Sequence, residues 1–322
     1  MTLTGKKKAL AIVGPTASGK TSLSVEVAKK LDCEIISADS RQIYKHIPVA
    51  TSCPTETDLK SVKHNFIEDL DLNITFNAGE FGKKGREIAE EIFSRNKIPL
   101  ITGGSGLYVR SLIDGLFEVE NGNGNENIKD IKEIRDRLYA KLEKYGEDEL
   151  YKELKLTDES AYNKIPKGKI RRVIRALEVF YSTNRKLSDF HNESTDISFE
   201  TVQIGLLLDR KYLYERINNR VDDMIKNGLL EEVEELKKKG LDYRNCNSLN
   251  TVGIKEVFKF FENEFDYETM VSLIKQNSRR YAKRQMTWFR KDERINWVIV
   301  KEDSETKALS YEVIEIFQNS VE

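Results

Sequence analysis

Short apolar runs alternate with amphipathic stretches over the first third of the chain. Lys8 to Val13 (KALAIV) and Glu34 to Ala38 (EIISA) read as buried strands, and between them Leu23, Val27, Ala28 and Leu31 recur at helical spacing. Together they predict a βαβ unit. Phe81 to Asn96 predicts another helix, and Ile98 to Thr102 (IPLIT) a third buried strand closed by Gly103 and Gly104. Parallel crossovers of this kind are right-handed, so a parallel sheet flanked by helices is the expected core. The pattern changes after Phe117. Asn121 to Asn127 (NGNGNEN) is a polar, glycine-rich spacer. From Ile128 to about Arg185 the spacing is helical throughout, as in Ile131, Ile134, Leu138 and Leu142, and again in Ile170, Val173, Ile174 and Leu177. Thr201 to Leu208 (TVQIGLLL) predicts a strand returning to the core, followed by helices over Lys211–Met224, Leu229–Lys239 and Tyr267–Arg290. The expected fold is α/β: a parallel-sheet core from residues 1–117 and 199–322, interrupted by an all-helical insertion over 118–198.

A chain of 322 residues that is 39% hydrophobic and 33% charged has ample material for such a core. It has no apolar run near the roughly 18 residues of a membrane span, so no membrane association is expected. The start, MTLTGKKKAL, leads directly into the first strand and leaves no room for a signal peptide, which predicts a cytoplasmic location. Cys33, Cys53 and Cys246 are odd in number and far apart, which supports neither a disulfide framework nor a zinc site. The net charge of −1 gives no nucleic-acid signal by itself. Two stretches do: Lys167 to Arg175 (KGKIRRVIR) and Arg279 to Lys291 (RRYAKRQMTWFRK) are strongly basic and contain no acidic residue. In contrast, Glu231 to Lys239 (EEVEELKKK) reads as a solvated helix face with its charges in the favourable order.

The candidate chemistry begins where the first strand ends. Gly14 to Thr21 (GPTASGKT) has the spacing of a P-loop, in which successive backbone N–H groups point at phosphate oxygens. Gly14 and Gly19 permit the tight turn, Pro15, Thr16, Ala17 and Ser18 line the cradle, Lys20 supplies a cation, and Thr21 supplies a hydroxyl for magnesium. The following helix start adds orphan N–H groups and its dipole. Standing alone, this loop predicts nucleotide binding and points toward ATP. Asp39 ends the second apolar run in DSRQIY, and strand ends in open α/β sheets face the ligand. Its carboxylate suits a magnesium ligand, a general base or a helix N-cap. Gln42 offers a donor and acceptor for a base edge, while Arg41 and Tyr44 offer charge and a stacking surface. The third strand ends in GGSGLY (Gly103 to Tyr108), with Ser105 framed by glycines, and lacks the Walker-B acid common in P-loop ATPases.

Taken together these segments resemble the tRNA dimethylallyltransferase family in its bacterial form without a zinc finger. GPTASGKT, DSRQIY, GGSGLY, IRRVIRALEVF (Ile170 to Phe180), RINNRVDDMIKNGLLEEVEEL (Arg216 to Leu236), VGIKE (Val252 to Glu256) and RRYAKRQMTWFRK follow the family's order and spacing over almost the whole chain. Two departures stand out: Ser52-Cys53 replaces the usual Ala-Lys, and Lys63 precedes His64 where a second histidine is common. The resemblance implies a magnesium-dependent enzyme that moves a dimethylallyl group from dimethylallyl diphosphate to the exocyclic amine of an adenosine beside the anticodon of tRNA. Gly14 to Thr21 would hold the diphosphate, Lys20 would neutralise it as it leaves, and Arg216 and Arg220 would add contacts from one helix face. Asp39 would take the amine proton. The flipped nucleotide would meet Asp39, Ser40, Arg41 and Gln42, and Ser105 the nearby RNA. Arg135 and the segment Arg171, Arg172, Val173, Ile174 and Arg175 would contact the RNA from the insertion. A monomer is expected. The competing readings are a P-loop kinase acting on a small hydroxylated substrate or nucleoside, a transferase of free adenine nucleotides, and an RNA-binding regulator switched by a nucleotide.

Overall fold

Nearly continuous apolar runs can be buried on both faces only in the middle of a parallel sheet covered by helices. The computed structural model, which describes residues 6–116, 131–190 and 196–320, contains such a sheet. Its strands among the described residues are β1 (Lys7–Val13), β2 (Cys33–Ser37), β3 (His64–Asn65), β4 (Ile98–Gly103), β5 (Phe199–Leu208) and β6 (Ile295–Val300). They lie in the order β3-β2-β4-β1-β5-β6, and every pairing is parallel. Leu10, Ile12, Ile35, Leu100 and Ile204 are fully buried at its centre. Each contributes about 1.5–3 kcal/mol by leaving water. Glu34 is the charged exception in β2, and Arg95 and Lys63 neutralise it at 2.8 and 3.2 Å.

The strand order sets the position of the site. From β1 the chain crosses toward β2, whereas the chain that leaves β4 returns beyond β1 to form β5. A crevice therefore opens outside the carboxyl ends of β1 and β4, at the topological switch point. The elements read from the sequence occur with small shifts at their ends, for example Phe199–Leu208 for the returning strand and Tyr267–Phe289 for the long helix. β3, β6 and the helix Thr306–Asn319 are additional.

The chain divides into two compact units, one of Met1–Ile113 with Ile197–Glu322, the other of Asp114–Asp196. The second contains the helices Ile131–Tyr145, Glu147–Thr157, Glu159–Lys164, Ile170–Thr183 and Leu187–Phe190. It has its own core, in which Ile134, Leu138, Leu150, Leu154, Val173 and Leu177 are buried. The polar spacer at Asn121–Asn127 and the change of pattern after Phe117 lie outside the described residues.

Candidate active site

β1 ends at Val13, and the chain turns through Gly14–Gly19 into the helix Lys20–Leu31. Gly19 caps that helix at φ 90°, a left-handed conformation in which a Cβ would be strained. No side chain caps the first turn, so its orphan N–H groups remain directed at the loop interior. Lys20 folds back over the loop and donates from Nζ to the Pro15 carbonyl at 2.7 Å. Burial pulls its pKa down to about 7, the nearby Arg220 adds to the effect, and the Asp39 carboxylate opposes it. Ser18 Oγ is buried at 2% residue exposure without a hydrogen-bond partner. From the helix Arg210–Lys226, Arg216 Nε reaches the Ala17 carbonyl at 2.8 Å and Arg220 Nη2 the Thr51 carbonyl at 3.2 Å.

Asp39 follows β2, and its Oδ1 accepts from the Arg41 N–H at 2.8 Å and the Gln42 N–H at 3.4 Å. The carboxylate thus caps a turn and also lines a cavity of about 300 Å³. Tyr281 faces the same cavity, and burial, reinforced by the Asp39 charge, pushes its hydroxyl up to about 12. Ser105 Oγ accepts from the Ser40 N–H at 3.1 Å, which ties the turn after β4 to the turn after β2. A second cavity of about 450 Å³ borders the Gly14–Gly19 loop and is lined by Ala17–Ser22 with Arg216 and Arg220. Lys20, Thr21, Pro54 and Arg220 line both.

Most of the expected site residues converge here. Thr16, Lys20, Thr21, Asp39, Ser40, Arg41 and Gln42 line the first cavity, while Gly14, Pro15 and Ser105 line neither cavity. One reading needs revision. The Gln42 amide donates to the carbonyls of Thr51 (3.2 Å) and Ser52 (3.1 Å) and accepts from Ser37 Oγ (3.2 Å), so it holds the wall and has no free edge for a base. The Arg41 guanidinium gives two of its five N–H groups to the carbonyls of Asn247 (2.7 Å) and Asn250 (3.4 Å) and still lines the cavity.

In the helical unit Arg171, Arg172 and Arg175 are exposed on the helix Ile170–Thr183. Val173 and Ile174 are 0% and 2% exposed, so their side chains pack in the core and meet no RNA, contrary to expectation. Arg135 has a partner within the unit. Its Nε lies 2.5 Å from Oε1 of the buried Glu178, whose other oxygen receives Arg175 at 3.3 Å. A carboxylate buried to 3% exposure needs such partners, and Arg135 and Arg175 both supply them.

The family model described as IPP transferase matches residues 42–292. The tRNA dimethylallyltransferase of Christiangramia forsetii is 42% identical over 91% of this chain and 93% of its own length. The chain belongs to the IPP transferase family. Among solved structures, a tRNA isopentenylpyrophosphate transferase from Staphylococcus epidermidis aligns with a TM-score of 0.69 at 33% identity, covering 98% of this chain and all of that one. A eukaryotic dimethylallyltransferase described as acting on tRNA aligns with a TM-score of 0.83 at 25% identity, over 98% of this chain and 79% of that one.

Within this IPP transferase, sequence reasoning missed several residues of the cavity wall: Ser278, Arg284 and Gln285 on the long helix, and Lys255 within VGIKE. Gln285 left a signal. Met270, Ile274, Ala282, Gln285 and Phe289 form the buried stripe of the helix Tyr267–Phe289, and a lone amide in such a stripe needs partners for both of its polar atoms.

Proposed function

We propose that the protein transfers a dimethylallyl group from dimethylallyl diphosphate to the exocyclic amine of the adenosine 3′-adjacent to the anticodon in tRNA, releasing diphosphate. The observation that carries this reading is the shared pair Lys20 and Thr21. They belong to the phosphate loop and also line the cavity that contains Asp39, so a leaving diphosphate and an attacking amine can meet there. The amine nitrogen bonds to the first prenyl carbon as the carbon–oxygen bond to diphosphate breaks. Asp39 takes the proton that the nitrogen sheds. The amine is a weak nucleophile because its lone pair is delocalised into the ring, so orientation and proton removal both count. Lys20, Arg216 and Arg220 stabilise the negative charge that grows on the leaving group, and the orphan Ser18 hydroxyl provides a further donor.

Magnesium fits this donor set. Among the described residues no cluster of three or more His, Cys, Asp or Glu side chains could cage a metal. Magnesium needs no such cage, since it binds through one or two protein oxygens together with phosphate oxygens and water. Thr21 is the residue that would hold it, with the diphosphate, and the ion would supply charge neutralisation at the leaving group.

On the RNA side we assign Ser40 and Ser105 to the surroundings of the flipped adenosine, and Arg171, Arg172 and Arg175 to phosphates. No helix among the described residues is long and apolar enough to cross a membrane. We infer a cytoplasmic enzyme that works as a monomer. The relatives support prenyl transfer over the kinase reading. The test is direct: wild-type protein, dimethylallyl diphosphate, magnesium and an anticodon stem-loop should yield prenylated RNA, and labelled ATP should transfer no phosphate. Asp39→Ala should lower turnover at least a hundredfold and leave stem-loop affinity within about threefold. Equal losses of both would remove Asp39 from the role of base.

A further inference from the structure

We propose that Gln285 is a positioning residue that sets the spacing between the diphosphate cradle and the Asp39 turn. This rests on the transfer reading above. β1 and β4 pair as far as Val13 and Gly103, and beyond that point the two chains part to open the crevice at the switch point. The Gln285 side chain fills the gap in place of a peptide group. Its Oε1 accepts from the Thr16 N–H at 2.8 Å, and its Nε2 donates to the Gly104 carbonyl at 2.9 Å. The fit leaves no slack. A Cβ on Gly104 would lie 2.2 Å from Gln285 Nε2, so the turn after β4 needs glycine for the amide to enter.

The link continues through the neighbouring residue. Ser105 receives the Ser40 N–H at 3.1 Å, and Ser40 follows Asp39 directly. A run of hydrogen bonds therefore joins the loop that grips the leaving group to the carboxylate that takes the proton. Gln285 is its one side-chain amide, 6% exposed and anchored on a separate long helix. Reacting groups displaced by about 1 Å can lose a hundredfold in rate, so a spacer of this kind acts on turnover. It also reserves the Thr16 N–H, which the cradle would otherwise offer to phosphate.

Two variants test the proposal. Gln285→Leu keeps the bulk and removes both bonds. Gln285→Glu keeps the acceptor for Thr16 and regains the donor for Gly104 only when its carboxyl is protonated. In protein whose circular dichroism matches wild type, Gln285→Leu should expose the Thr16 amide to hydrogen exchange and lower kcat about tenfold or more, with stem-loop affinity within twofold. The kcat of Gln285→Glu relative to wild type should rise as pH falls from 8 to 6, a dependence that lost packing alone would not produce. Unchanged Thr16 exchange, an unchanged kcat, or an affinity for RNA that falls in step with kcat would each overturn it. If wild-type protein makes no prenylated RNA, the transfer reading fails on that control alone. The Thr16 exchange still decides the bond.

Discussion

At the residue scale Lys20 carries the most unusual charge. Desolvation and Arg220 bring its pKa to about 7 from an ordinary 10.5, so much of the population is neutral above neutral pH before any anion arrives. A diphosphate in the cradle adds negative charge beside it and restores the proton. Pyrophosphate binding at pH 8 should therefore take up protons, read by calorimetry in buffers of different ionisation enthalpy, and Lys20→Met should abolish that uptake. The sign for stability follows from the same shift. Between about pH 7 and 10.5 the unfolded chain binds the extra proton, so this group's contribution to stability rises with pH across that window. Lys20→Met should be more stable than wild type near pH 6 and lose that advantage toward pH 10, as denaturant titrations would reveal. Asp39, by comparison, was legible from its place at a strand end, but its double duty as turn cap and cavity wall was not. Sequence spacing carries no information about which carboxylate oxygen is occupied.

The helix Ile170–Thr183 is built against its own dipole. Lys169 is its N-cap, Arg171 and Arg172 occupy the first turn, and no acidic residue offsets them. Cations at that end cost a helix about 0.3–1 kcal/mol each, which makes an external anion the natural partner. Arg171→Ala with Arg172→Ala should leave the unit's thermal midpoint equal or higher, weaken stem-loop binding, and reduce the slope of log affinity against log salt by about 1–2. Arg135→Ala should do the reverse. It strips one of two partners from Glu178 and costs about 1–2 kcal/mol of stability, discounted for the arginine's half-exposed position. The basic run made this helix readable as a candidate contact surface. Helical periodicity could equally have separated Val173 and Ile174, which turn inward, from the arginines around them, but carrying the segment over as a block hid the difference. β6 escaped notice because INWVIV is short and mixes buried with exposed positions, and β3 because two residues make no pattern.

At the scale of the whole molecule, the α/β unit and the helical unit each have a core of their own. Replacing residues 114–196 by a short flexible linker should leave pyrophosphate binding within about threefold of wild type by calorimetry and abolish stem-loop modification. The insertion itself was legible in the switch from buried runs to helical spacing, because a change of hydrophobic period is a property of long stretches and survives local noise. The arrangement also shapes how the protein is made. Central strand β1 pairs with β5 from Lys7↔Phe199 to Val13↔Gly205, so its partner is synthesised about 190 residues later. At roughly 5–20 residues per second, one edge of the apolar centre waits on the order of 10–40 s for its neighbour. During that interval the nascent chain presents an unpaired hydrophobic edge, and production of this enzyme should depend on chaperone supply more steeply than its finished stability would suggest.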